Sequence, residues 1–159
     1  MNKKMKIFVI KLFALAALLN LNYNVLLAHC EIPCGIYDDS LRVQLIYEHI
    51  TTIEKSMNQI NELSKSDEVN YNQLFRWIDN KEEHALKIQE IVSQYFLHQR
   101  IIIINSENAE AYKKYHNMLE LLHKMLIYSM KAKQTTELKY ITLLRETLHS
   151  FENLYFHNH

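Results

Sequence analysis

Apolar residues recur every three or four positions through most of the chain. Val43, Ile46, Ile50, Ile53, Met57 and Ile60 form the clearest stripe, and steps of that size keep one face of an α-helix. The stripe predicts one amphipathic helix from about Asp39 to Leu63, with capping oxygens on Asp38, Asp39 and Ser40 at its start. Residues 64 to 70 are polar and read as a loop. A second helix is expected from about Asn70 to Gln99, with Leu74, Ile78, Ala85, Ile88, Val92 and Tyr95 on one face and Trp77 widening it.

The run Ile101 to Ile104 is β-branched throughout and suits either a buried extended connection or a subunit contact. Asn105, Ser106 and Asn108 then mark a turn and a helix start. A third helix carries Tyr112, Tyr115, Leu119, Leu122 and Leu126. After a polar break at Lys131 to Thr136, a fourth carries Leu138, Ile141, Leu144, Leu148, Phe151 and Tyr155. Short loops between helices of similar length favour antiparallel neighbours. The fold class expected is therefore all-α: an up-down antiparallel four-helix bundle over residues 38–159.

Composition sharpens this picture at one place. The chain has one Gly, one Pro and two Cys, a shortage of turn residues that argues against an all-β fold. All four fall together, as Cys30, Pro33, Cys34 and Gly35 in the segment His29-Cys30-Glu31-Ile32-Pro33-Cys34-Gly35-Ile36-Tyr37. Irregular chemistry is thus concentrated in a short hook, residues 29–37, ahead of the bundle.

The residues before the hook read as a leader. Lys3, Lys4 and Lys6 precede an apolar stretch whose cleanest part is Leu12 to Leu19, and small Ala28 stands before His29. That order predicts a cleaved signal peptide over residues 1–28, removed by a processing peptidase cutting before His29. It places the mature protein in the periplasm or outside the cell. The tail, with Asn20, Asn22 and Asn24, is more polar than such signals usually are. Cleavage would leave 14 basic residues against 18 acidic ones, a net charge near −4. An acidic chain without a basic block is not expected to bind nucleic acid. Attraction of an anion would have to come from local charge such as Arg42, or from a metal site.

Cys30 and Cys34 offer two thiolates, and His29 an imidazole beside the first. Such a set suits zinc, copper, nickel or an iron–sulfur cluster, and spacing alone leaves the metal open. It falls short of the usual closed zinc set. Cleavage before His29 would free an α-amine. With the Cys30 backbone nitrogen and the two sulfurs, that amine makes a near-planar N/S site, which nickel(II) accepts well, leaving the His29 imidazole for an axial position. Pro33 fixes one φ angle and Gly35 permits a positive one, so both help turn the two sulfurs toward one metal. The plainer alternative is an exported helical binding or metal-trafficking protein, its Cys30–Cys34 pair a disulfide or clip. A copper or zinc module built on the same hook is a further one.

The hook resembles the mature N-terminus of the nickel superoxide dismutases, His-Cys-x-x-Pro-Cys-Gly-x-Tyr, at every fixed position: His29, Cys30, Pro33, Cys34, Gly35 and Tyr37. Glu31 supplies the acidic residue common after the first Cys, and Asp38 follows the Tyr as it usually does in that family. Weaker likeness extends through Tyr95-Phe96 and Lys114-Tyr115. The resemblance implies an enzyme that disproportionates superoxide to oxygen and hydrogen peroxide by Ni(II)/Ni(III) cycling. The metal would be held by His29, Cys30 and Cys34, with Tyr37 and Tyr95 beside the open face, in a homohexamer of four-helix bundles. It also permits the leader to be trimmed in the cytoplasm by a dedicated protease. One departure stands out. The Glu that the family often places early in the first helix aligns with Leu45, and its Arg partner in the second helix aligns with Glu82. Glu82 is therefore expected to orient the His29 imidazole, with Glu48 and Glu83 as rivals.

Overall fold

The computed structural model describes residues 5, 6, 8, 11 and 35–156. The chain divides into two units, Met1–Cys34 and Gly35–His159. In the first, the four described residues are helical and exposed. The rest of the expected leader, with His29, Cys30, Glu31, Pro33 and Cys34, lies outside the described residues.

The second unit is the expected bundle. Helix α1 spans Asp39–Leu63, α2 Tyr71–Glu90, α3 Ala109–Gln134 and α4 Lys139–Phe156; between α2 and the next loop the chain continues as a π-helix over Ile91–Arg100. Helix α1 packs on α2 and α4, and α3 on α4 and α2. The run of connections is up-down-up-down. The start of α1, the π segment, the start of α3 and the end of α4 therefore share one end of the bundle.

Local chemistry sets the helix starts. The side chains of Asp38, Asn70 and Asn108 accept hydrogen bonds from the backbone N–H groups of Leu41, Gln73 and Ala111, each satisfying a donor that a helix start leaves unpaired. The whole α1 stripe is buried, and each side chain of this size contributes about 1.5–3 kcal/mol by leaving water. Phe96 and Phe151 meet edge to face at 5.0 Å in the centre of the core.

Three expectations shift. The first turns of α2 do not face the core: Ile78 is exposed and Trp77 half-buried, with the Lys55 ammonium 5.7 Å from its ring centre. The buried face of α3 is Leu122, Met125, Ser129 and Ala132, not the line that begins at Tyr112 and Tyr115; those rings cluster with His116 at the flank. The break near Lys131 is helical through Gln134. Lys81, buried in α2, donates to the carbonyls of Ala132 and Lys133 and so caps the end of α3, where apolar periodicity had already faded.

Candidate functional site

Gly35 begins the described bundle unit with φ at +77°, the left-handed conformation that suits glycine. A Cβ there would touch nothing within 4 Å, so backbone conformation rather than space requires the glycine. Ile36 is exposed, and Tyr37 is the next residue. The Tyr37 ring meets the Tyr95 ring edge-on, 6.0 Å between centres. The Arg100 guanidinium lies 4.4 Å from the centre of the Tyr37 ring, close enough for cation–π attraction. The two tyrosines singled out in the sequence thus come together at the end of the hook.

One carboxylate, Asp39, ties this corner together. Its Oδ1 accepts from the Tyr95 hydroxyl at 2.5 Å and from Arg100 Nε at 2.8 Å. Its Oδ2 accepts from Arg100 Nη2 at 2.7 Å and from the Tyr155 hydroxyl at 2.7 Å. The Arg100 contact is a bidentate fork, the strong form of a charge-assisted pair. Donors come from the π segment and α4, so Asp39 joins three elements.

The π segment explains how Tyr95 and Arg100 reach one acceptor. In an α-helix, residues five apart point about 140° away from each other. In a π-helix, hydrogen bonds run between residues five apart and bring such positions toward one face. The Ile101 N–H bonds the Phe96 carbonyl in this way. Without the wider winding, Arg100 would leave the Tyr95 face.

The electrostatics follow from the contacts. Burial works against ionisation of Asp39, but hydrogen bonds from Arg100, Tyr95 and Tyr155 overcome it and hold the carboxyl below its usual range. Burial, then the bond to Asp39, raise the Tyr95 phenol well above the ordinary tyrosine value. The same causes push Tyr155 up to about 12. At neutral pH the cluster is one carboxylate, one guanidinium and two protonated phenols. Arg42, in the first turn of α1, stands with its guanidinium 5.0 Å from the Tyr95 ring centre, and its Nε is buried without a hydrogen-bond partner.

Glu82 is placed elsewhere. Its carboxylate is shared by Lys81 at 3.3 Å and Lys133 at 3.7 Å, 13 positions before Tyr95 on a continuous helix, or about 20 Å by helical rise. Of its rivals, Glu83 pairs with Lys87, 12 positions before Tyr95, and Glu48 is exposed on α1, nine positions after Asp39. Among the described residues, the carboxylate beside the tyrosine pair is that of Asp39. Sequence reading missed the Asp39–Arg100 pair beside Tyr37, and the Tyr155 phenol that buttresses it from α4. The available signal was local: an acid two residues after Tyr37 in a helix that Asp38 already caps.

A second polar group lies farther down the bundle. His49 of α1 and His84 of α2 face each other with their Nδ1 atoms 3.0 Å apart. Among the described residues, no group of three or more His, Cys, Asp or Glu side chains converges as a metal site.

The donor set of the hook fits a soft-to-borderline metal: two thiols and an imidazole, to which a cut before His29 would add an amine. The positive φ at Gly35 lets the chain turn directly after the second thiol. The sequence pattern of the nickel-containing superoxide dismutases matches residues 24–159. No curated protein and no solved structure matches the chain.

Proposed function

The chain belongs to the nickel-containing superoxide dismutase family, a nickel-dependent oxidoreductase converting superoxide to oxygen and hydrogen peroxide, and on that premise we propose how its own residues serve the reaction. His29, Cys30 and Cys34 would hold nickel, with Glu31, Pro33 and Gly35 shaping the loop. Nickel bound there supplies one-electron redox between its divalent and trivalent states. The observation that carries the assignment of these roles is the meeting of Tyr37 and Tyr95 at the end of the hook.

The two phenols have different tasks. The Tyr95 hydroxyl is committed to Asp39, so Tyr95 serves as a neutral wall. Tyr37 is 41% exposed, and its hydroxyl makes no hydrogen bond to a described residue, which leaves it able to donate to a small anion. Dismutation consumes two protons for each peroxide formed, and a solvent-facing phenol can pass one on from water. Arg42, set against the Tyr95 ring, adds positive charge where an anion would arrive.

Processing completes the site. A cut before His29 creates the amine ligand. A preceding residue would turn that nitrogen into an amide and displace the free amine from its chelate ring. The basic, apolar, small-residue order of residues 1–28 supports removal on export to the periplasm or outside, with trimming in the cytoplasm as the alternative route. Assembly as a homohexamer is supported by Ile102 and Ile103, which stand exposed beside a groove lined by Ile101, Ile104 and Met118.

The deciding measurement compares superoxide dismutation by the nickel-loaded chain beginning at His29 with the same chain carrying one extra N-terminal Ala. Activity is expected only in the first. Equal activity in both removes the amine from the site. Absence from both returns the hook to a disulfide or clip. The orienting role for Glu82 is tested by Glu82→Gln: an unchanged nickel spectrum and turnover would eliminate it.

A further inference from the structure

We propose that Asp39 is a positioning residue that pre-organises the end of the metal-binding hook: its carboxylate holds Arg100, and Arg100 holds the Tyr37 ring three residues after Cys34. The inference rests on the nickel reading of the hook and adds a residue that the hook itself does not contain.

The argument begins with how little else restrains this stretch. Gly35 has the greatest backbone freedom of any residue, and Ile36 is 82% exposed. Residues 36–38 have no regular structure. From Asp38 onward the backbone is fixed by the α1 cap. Between the second thiol and that cap, Tyr37 is the side chain that meets the bundle, and its ring partners are Arg100 and Tyr95. Asp39 hydrogen-bonds both of those partners. One carboxylate therefore sets the floor and the wall against which the hook's last aromatic rests.

Arg100 needs that anchor. It is the last residue of the π segment, and the chain runs on from it through an extended Ile101 into a loop. The bidentate fork fixes the guanidinium plane, which a single contact would leave free to rotate. With the fork broken, the guanidinium would turn to water and the Tyr37 ring would lose its cover. Metal binding would then have to order that segment itself, at an entropic cost subtracted from affinity. Tyr155 has a different place: it buttresses Asp39 from α4 but touches neither Tyr37 nor the hook among the described contacts.

The test is nickel affinity, measured on the processed chain beginning at His29 by competition with a chelator. Wild type would be compared with Asp39→Asn, Arg100→Gln and Tyr155→Phe. Asp39→Asn and Arg100→Gln are expected to weaken nickel binding by roughly tenfold or more, the usual scale for supporting contacts around a metal site. Tyr155→Phe is expected to stay near wild type. A spectrophotometric titration of the metal-free chain gives a second reading: Asp39→Asn should lower the alkaline midpoint of a phenol, because the Tyr95 hydroxyl loses its anionic partner. If Asp39→Asn lost helix content, Arg100→Gln, which leaves the carboxylate and both phenols in place, would decide. Folded Asp39→Asn and Arg100→Gln chains with wild-type nickel affinity would overturn the clamp. A wild-type chain that bound no nickel would instead overturn the reading on which it rests.

Discussion

Asp39 and the His49–His84 pair are both polar contacts between helices of one bundle, ten residues apart along α1, yet they meet burial in opposite ways. Asp39 keeps its charge and surrounds it with four hydrogen bonds. The histidines shed theirs. Burial, then the neighbouring His84 and Lys87, lower His49; burial, then Lys87, lower His84, with Glu48 and Glu83 opposing in both cases. Two neutral imidazoles share one Nδ1–H···Nδ1 bond, whereas two imidazolium rings at that distance would repel. A charge is retained where donors converge from several elements, and given up where only another base faces it.

The comparison breaks most visibly at Asp39. Asp39→Ala removes the acceptor of four hydrogen bonds and leaves Arg100 without its counter-ion. A loss of about 3 kcal/mol in urea unfolding is expected, the lower end for a broken buried pair because Arg100 keeps some access to water. A loss under about 1 kcal/mol would mean that water replaces the carboxylate freely. Tyr155→Phe takes away one of the four bonds without moving a charge. It should cost about 1–2 kcal/mol, and a cost equal to that of Asp39→Ala would show that the cluster fails as a unit.

The histidine pair should show itself in the pH dependence. Both folded-state values lie below the ordinary 6.5, so the unfolded chain binds more protons than the folded chain in mild acid. Their contribution is fully present above pH 6.5 and is lost as pH falls below it and through the lowered folded values. Asp39, also lowered, keeps its contribution until pH falls below the ordinary carboxyl value of 3.8. Thermal melts from pH 7.5 to 5 should therefore decline in wild type and flatten in a His49→Leu, His84→Leu double variant. A decline of equal slope in the variant would move the acid sensitivity elsewhere. At the alkaline end the order reverses. Tyr155, raised to about 12, stabilises the folded state below the ordinary tyrosine value of 10, and that contribution fades as pH climbs toward 12.

Much of the scaffold was legible in the chain. The α1 stripe runs over a length that local signals bound at both ends, so its limits and its cap followed from adjacent residues. The hook was legible for the same reason, since its two Cys, Pro and Gly sit within six positions of one another. Tyr95 could be placed both in the core stripe and beside Tyr37, and the fold gives it both contacts: its ring packs on Phe96 and meets the Tyr37 ring. Burial of Lys81 and exposure of Ile78 were not legible. Each depends on where the end of α3 lies against α2, a fact that no window of α2 contains.

The sequence by itself determined the helix count, the up-down order, the motif of the family and the need for a glycine after Cys34. Each of these rests on periodicity or on chemistry between near neighbours. Tertiary structure alone decided which carboxylate serves the tyrosines. Asp39, the Tyr95–Arg100 stretch and Tyr155 are distant in sequence, and they converge because antiparallel packing returns α1, the π segment and α4 to one end of the bundle. The π winding then turns Arg100 toward the same acceptor as Tyr95. A hydrogen bond depends on distance and direction in space, and between residues so far apart only the packed fold supplies either.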